Sequence, residues 1–348
     1  EPRDTARLLR VTPEGLFDHH IYDLPDLLRA GDLLVLNDTR VIPARLYGKR
    51  GEVKIEVLLL KKHTPSTWEA LARPGKRLKI GNTIQFAPEL DAEVLEKRDD
   101  GEILIRFNVP DDSLLSLLHK YGEPPLPPYI KRAVGAAKCD AERYQTVYAA
   151  RDGAVAAPTA GMHFTPDLLA KLAAKDIQNV KVTLHVGAGT FLPVKAEFLK
   201  DHVMHAEWGE ISEEVADNIN KARQERRRIV CVGTTSLRVL ESASDENGVV
   251  RPFSEETSIF IAPGYRFRAT DVLLTNFHLP QSTLFMLVAA FMGLETMRNA
   301  YAYAIRENYR FYSYGDACLL EREGAVTPAS EGEHTFYSGS LRSRRTAE

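Results

Sequence analysis

Cysteine is scarce. The three in this 348-residue chain, Cys139, Cys231 and Cys318, lie far apart and in no ligand spacing. That excludes a disulfide framework and a cysteine-built zinc site; Cys231, inside an apolar run, reads as a small core residue. Long apolar runs are missing as well. The longest, Leu284 to Met292, falls far short of the roughly 20 residues that cross a bilayer. Several fingerprints are also lacking. No Gly-Lys-Ser/Thr follows Gly233, so there is no Walker loop, and His185-x-Gly187-x-Gly189 lacks the third glycine of a dinucleotide site. No Gly-x-Ser-x-Gly elbow marks a serine hydrolase, and no His-x-x-x-His pair marks a helical zinc site. The start, Glu1-Pro2-Arg3-Asp4, carries no Met and no signal-like segment, so the expectation is a cytoplasmic protein trimmed at its start.

What is present is a repeated pattern of short apolar runs, each ending in a polar or Gly-rich loop. Leu33–Leu36 leads into Asn37-Asp38-Thr39-Arg40, and Val155–Ala157 into Pro158-Thr159-Ala160-Gly161-Met162-His163. Val180–Leu184 leads into His185-Val186-Gly187-Ala188-Gly189-Thr190, and Ile229–Val232 into Gly233-Thr234-Thr235-Ser236-Leu237-Arg238. Val272–Leu274 leads into Thr275-Asn276-Phe277-His278-Leu279-Pro280-Gln281-Ser282-Thr283. Five such strands predict an α/β sheet with its ligands at the carboxyl ends. A structural turn needs Gly, Asn or Pro, not an imidazole beside an amide and two hydroxyls. The expectation is an enzyme.

Between Arg45 and Val109 the pattern changes to short runs separated by turn residues, with no helical stretch. That predicts a small antiparallel barrel or sandwich inserted into the α/β domain. The predicted organisation is an α/β domain over 1–47, an inserted β-barrel over 48–150, the α/β domain again over 151–320, and a polar tail over 321–348. The formal net charge is −3, yet Arg40 to Lys79 holds eleven basic residues against three acidic ones. Such a segment in an acidic chain suits a phosphate-binding surface, or equally a solvated lysine face.

Each candidate group has a plainer alternative. Thr234 or Thr235 is either an N-cap or part of an anion pocket at a helix N-terminus. Asp38 either caps a turn or pairs with Arg40, or it binds ribose hydroxyls or acts as a base. His163, His185 and His278 all stand at strand ends, where one histidine alone is more often structural. Three in equivalent positions favour chemistry. A three-histidine metal site is disfavoured by the absence of clustered spacing.

Together the loops resemble the S-adenosylmethionine:tRNA ribosyltransferase-isomerases of queuosine biosynthesis. The matching stretches are Gly31 to Arg45, Pro124 to Arg132, Ala156 to Thr165, Val182 to Phe191, Gly233 to Arg238, Pro263 to Phe267, Leu274 to Leu284 and Tyr309 to Ala317. The resemblance implies an α/β domain carrying an inserted barrel, and S-adenosylmethionine used as ribosyl donor with no prosthetic group and no metal. The implied acceptor is 7-aminomethyl-7-deazaguanine in the tRNA anticodon loop; no protein partner and no membrane are implied. The expected substrate contacts are Asn37, Thr39, Arg40, Thr159, Gly161, His185, Gly187, Gly189, Thr190, Thr234, Thr235, Ser236, Arg238, Asn276, Ser282, Thr283, Tyr314 and Asp316. For proton transfer, His163 and His278 stand ahead of Asp38 and His185. The tRNA backbone is expected on Arg45, Lys49, Arg50, Lys76, Arg77 and Lys79. The rival classes are an RNA-binding protein using the barrel alone and a methyltransferase, the latter disfavoured by the missing glycine fingerprint.

Overall fold

The computed structural model describes residues 2–98, 101–127, 130, 138–187, 204–280 and 282–322. Its strands, in chain order, begin with β1 (Arg7–Thr12), β2 (Gly15–His20), β3 (Leu33–Asn37) and β4 (Thr39–Val41). Six follow in the insertion: β5 (Arg45–Arg50), β6 (Val53–Thr64), β7 (Thr67–Arg73), β8 (Thr83–Ala87), β9 (Leu90–Lys97) and β10 (Glu102–Phe107). The last seven are β11 (Arg151–Ala154), β12 (Gln178–Leu184), β13 (Glu207–Ile211), β14 (Ile229–Val232), β15 (Phe253–Thr257), β16 (Val272–Asn276) and β17 (Ala317–Glu321).

Nine strands make one mixed sheet in the order β15-β13-β12-β3-β14-β16-β17-β1-β2. At its centre β12, β3, β14 and β16 are mutually parallel. Their side chains alternate between two cores, as period-two geometry requires when both faces are covered. Leu33 and Val35 of β3 enter the core built with helices Glu213–Gln224, Thr234–Ser242 and Leu294–Arg306, while Leu34 and Leu36 enter the one built with Pro166–Ala174. Helices Pro166–Ala174, Glu213–Gln224 and Thr234–Ser242 thus cover the two faces of the sheet.

Strands β5 to β10 close into a six-stranded antiparallel barrel, ordered β10-β7-β6-β5-β8-β9. Closure removes the exposed edges that a short sheet would present. Leu46, Ile55, Val57, Leu59, Ala70 and Ile84 fill it, and Leu114 and Leu118 from the helix Asp111–Tyr121 complete its core. The barrel meets the main sheet where β6 ends: Lys61 pairs with Glu256 of β15 at 2.8 Å.

One expectation needs correction. Val155-Ala156-Ala157 is not a fifth strand of the sheet; it is an irregular segment following β11, which pairs only with β4. The amides of Val155 and Ala156 both donate to the Val186 carbonyl, at 2.8 and 3.2 Å, and Pro158 then ends any ladder because it has no N–H.

At the edge where β3 and β14 begin, a buried ion cluster ties the sheet together. Arg228 grips Asp32 through Nε and Nη2, at 2.9 and 2.6 Å, and donates from Nη1 to Glu321 at 2.7 Å. Glu321 also receives Arg10 Nε at 2.6 Å, so the residue expected to open a polar tail instead closes the last strand. Removing one partner of such a cluster leaves buried charge without compensation. We expect Arg228→Met to destabilise the fold by about 3–5 kcal/mol in urea unfolding. A loss below about 1 kcal/mol would mean that water reaches both carboxylates.

Candidate functional site

Because β12, β3, β14 and β16 are parallel neighbours, their carboxyl ends share one edge of the sheet. Asn37, fully buried at the end of β3, fixes two of the loops that leave it. Its amide nitrogen donates to the Leu184 carbonyl at 3.0 Å, and its oxygen accepts from the amides of Leu184 and Thr39, at 3.0 and 3.2 Å. Asp38 follows, with Oδ1 accepting the Thr183 hydroxyl at 2.7 Å and its main chain held by Val182, Ala150 and Arg151. Thr39 Oγ1 meets His185 Nδ1 at 2.7 Å, and the His185 ring stacks on Trp208 with centroids 5.2 Å apart. Gly187 donates its N–H to Glu207 at 2.9 Å, and the other Glu207 oxygen pairs with Arg238. Gly189 and Thr190 lie outside the described residues.

At the end of β14, Gly233 turns the chain into the helix Thr234–Ser242 with φ +90°, a region that disfavours side chains. The helix N-terminus thus opens at the same edge. Ser236, expected as a ligand contact, is turned back to the Val232 carbonyl at 2.8 Å.

The end of β16 meets the short helix Thr159–His163. Asn276 accepts from Thr159 Oγ1 at 2.9 Å and donates to His163 Nε2 at 3.2 Å. Because Asn276 donates there, the Nε2 lone pair is taken and the neutral ring carries its proton on Nδ1. His278 bonds Thr275 Oγ1 through Nε2 at 2.9 Å, and its amide donates to the Tyr301 hydroxyl at 2.9 Å. Asp316 is held within the protein: burial opposes its charge, but hydrogen bonds from Arg310 and the Arg7 amide hold its carboxyl below the ordinary range. Ser282 caps the helix Thr283–Met292 by accepting from the Phe285 amide. Arg40 is exposed and donates to the Ala149 carbonyl, and Tyr314 lies against Tyr144 with ring centroids 6.1 Å apart.

Several buried polar atoms at this edge have no partner among the described residues: the Tyr148 hydroxyl, Thr146 Oγ1, Thr235 Oγ1, and Nε and Nη2 of Arg238. A buried group without a partner costs on the order of 1–3 kcal/mol, so such a cluster marks a place where a ligand completes the bonding. Gly161 permits the close approach. A Cβ there would fall 2.1 Å from the Tyr148 oxygen and 2.9 Å from Thr146. Tyr148, Glu207 and Trp208 are absent from the sequence-derived contacts, because nothing in an isolated Tyr or Glu signals that the fold buries it at a strand end. Among the described residues, no cluster of His, Cys, Asp and Glu is placed to hold a metal ion, and no helix is long and apolar enough to cross a membrane.

Of the residues expected on tRNA, Lys49, Lys76, Arg77 and Lys79 are exposed cations that make no ion pair among the described residues. Arg50 reaches Asn82, and Arg45 is committed to Glu56 and the Leu126 carbonyl.

A mixed sheet with ligand loops at its parallel strand ends and a barrel inserted after β4 defines an α/β enzyme of two joined bodies. The family model described as "Queuosine biosynthesis protein" matches residues 1–320, and the chain belongs to that family. It is a transferase-isomerase. It is 57% identical over 336 residues to the S-adenosylmethionine:tRNA ribosyltransferase-isomerase of Beijerinckia indica, covering 92% of each chain. It is 59% identical over 331 residues to the protein of that name from Methylocella silvestris, again covering 92% of each. The crystal structure of an S-adenosylmethionine tRNA ribosyltransferase from Thermotoga maritima, 33% identical, superposes with a TM-score of 0.51 and covers 92% of this chain and 94% of that one.

Burial pushes His163, His185 and His278 each down to about 4, with the Arg151 cation adding to the effect at His185. The imidazoles of the folded chain thus stay neutral where unfolded ones, near 6.5, take up a proton. Stability is therefore fully present above about pH 6.5 and is lost as pH falls towards 4, by about 1.4 kcal/mol per pH unit for His163. Urea unfolding from pH 7 to 4.5 should show this slope, and His163→Gln should flatten it. An unchanged slope in the variant would mean that His163 is protonated in the fold.

Proposed function

We propose that this enzyme transfers and isomerises the ribosyl group of S-adenosylmethionine onto 7-aminomethyl-7-deazaguanine in tRNA, yielding epoxyqueuosine-tRNA, adenine and methionine. The relatives' names supply the donor and the nucleic acid. The observation that carries the reading is the group of unpartnered buried donors at the strand ends, Arg238, Tyr148 and Thr235, which suits a ligand rich in acceptors: a carboxylate, ribose hydroxyls and a purine.

The chemistry fixes what the site must do. The sulfonium acidifies the C5′ protons of the ribose, and a base removes one. The electron pair left on carbon opens the ribose ring and expels adenine, which leaves with a proton. The acceptor amine adds to the unsaturated sulfonium, and a ribose oxygen closes the epoxide as the carbon–sulfur bond to methionine breaks. A base and an acid are both required, and the excess positive charge stays on sulfur until the last step.

Among the four groups expected to move protons, the hydrogen bonds favour two. His163 gives its Nε2 lone pair to the Asn276 amide, which suits a positioning role. His278 commits one nitrogen to Thr275, and Asp38 commits one oxygen to Thr183, which leaves each a second polar atom for substrate. His185, locked between Thr39 and Trp208, is suited to shaping the pocket wall.

With S-adenosylmethionine and deazaguanine-modified tRNA, the purified protein should release adenine and methionine in equal amounts. No release would overturn the activity; S-adenosylhomocysteine instead would make the protein a methyltransferase. Asp38→Asn and His278→Gln should each slow turnover about 10²–10⁴-fold, the usual weight of a general acid or base. His163→Gln should cost less than about tenfold, since glutamine retains one of its bonds; a loss as large as the others would return His163 to the proton-transfer step.

A further inference from the structure

The outer wall of the barrel carries a cleft of about 1010 Å³, separate from the strand-end site and lined by Tyr47, Lys49, Lys54, Arg73, Gln85 and Phe86. Its floor follows from strand pairing. Tyr47 and Lys49 project from β5, where they stand opposite Glu56 and Lys54 of β6; Arg73 of β7 stands opposite Glu56, and Gln85 of β8 opposite Lys49. Two lysines directly across a strand pair repel each other and destabilise the sheet. Lys49, Lys54 and Arg73 make no ion pair among the described residues, and the carboxylate that shares the cleft, Glu56, is paired with Arg45 instead. A bound anion would relieve the repulsion.

Tyr47 adds a second, independent feature. It is 51% exposed, and the adjacent Arg45 and Glu56 are paired with each other. An exposed aromatic surface beside cations that make no ion pair among the described residues is the arrangement that binds unpaired bases: the ring stacks a base and the cations take the flanking phosphates. β6 then continues to Leu60, whose carbonyl lies 3.8 Å from where a Gly187 Cβ would be. Tyr47, opposite Glu56, is thus four residues along the strand from the strand-end site, about 14 Å at the rise of an extended chain.

We propose that this cleft is a second RNA-binding site that holds an unpaired nucleotide of the substrate tRNA on Tyr47, a few nucleotides from the one being modified, with Lys49, Lys54 and Arg73 on its phosphates. The inference rests on tRNA being the substrate and names how the barrel grips it. An unspecific solvated lysine face would need no exposed aromatic among the cations; a peptide-binding cleft would need apolar pockets or a free strand edge, and the closed barrel has no such edge.

Binding of deazaguanine-modified tRNA to the full chain, followed by fluorescence anisotropy from low to high salt, tests it. Tyr47→Ala should weaken binding about tenfold, the weight of one stacked base, while Tyr47→Phe should stay within about twofold. Lys54→Ala/Arg73→Ala should reduce the log–log salt slope by about 1.4, two phosphates of a single strand. S-adenosylmethionine affinity and the urea midpoint of each variant should match the wild type, which separates lost contacts from lost folding. Wild-type tRNA affinity and salt slope in both Tyr47→Ala and the double variant, alongside active wild-type enzyme, would overturn the cleft. So would a Tyr47→Phe loss equal to that of Tyr47→Ala, which would make the hydroxyl and not the ring the important part. Failure of the wild type to bind or modify tRNA would overturn the substrate assignment, and this inference with it.

Discussion

The candidate site depends on one amide. Where parallel strands end, their loops must diverge, and the backbone ladder can no longer say where each loop begins. Asn37 supplies the missing rungs: its side chain satisfies both the N–H and the carbonyl of Leu184 and takes the Thr39 amide as well. The directions of Asp38, Thr39 and His185 all follow from that fixed point. Asn276 plays the matching part at β16, joining Thr159 and His163. A carboxylate in either place would lack the donor, and an aliphatic side chain would lack everything but the volume.

Much of this was legible in the residues alone. Buried parallel strands read as continuous apolar runs, and four of the five runs identified that way are the four central parallel strands. The insertion was legible for the opposite reason: its runs are short, punctuated by turn residues, and without helical spacing. Val155–Ala157 failed because three small apolar residues before a proline satisfy the same pattern as a strand while lacking the length to pair. The functional partition was harder. Ser236 and Ser282 carry the residue type of ligand contacts but spend it on the Val232 carbonyl and on a helix cap, and composition does not separate those uses from binding. Tyr148 and Glu207 act through the site only because distant segments bury them there.

The histidines make the same point energetically. As sequence they read as three equivalent acid–base candidates. In the fold they share one perturbation, burial, and differ in which ring atoms are committed: the Nε2 lone pair of His163 is taken by Asn276, while His278 keeps one nitrogen beyond the Thr275 bond. Hydrogen-bond occupancy, rather than residue type or a shifted titration, distinguishes a group that positions substrate from one that exchanges protons with it.

The two ends of the central strands are built to opposite specifications. Where β3 and β14 begin, every charge of Arg228, Asp32 and Glu321 is matched. Where they finish, donors on Arg238, Tyr148 and Thr235 go unmatched among the described residues. Rigidity and reactivity, which compete in many enzymes because the same residues must provide both, are here divided between opposite rims of one sheet. Selection for heat resistance could therefore act on one rim without touching the other, and thermophilic and mesophilic versions of this fold are free to differ widely in stability while keeping the same catalytic lining.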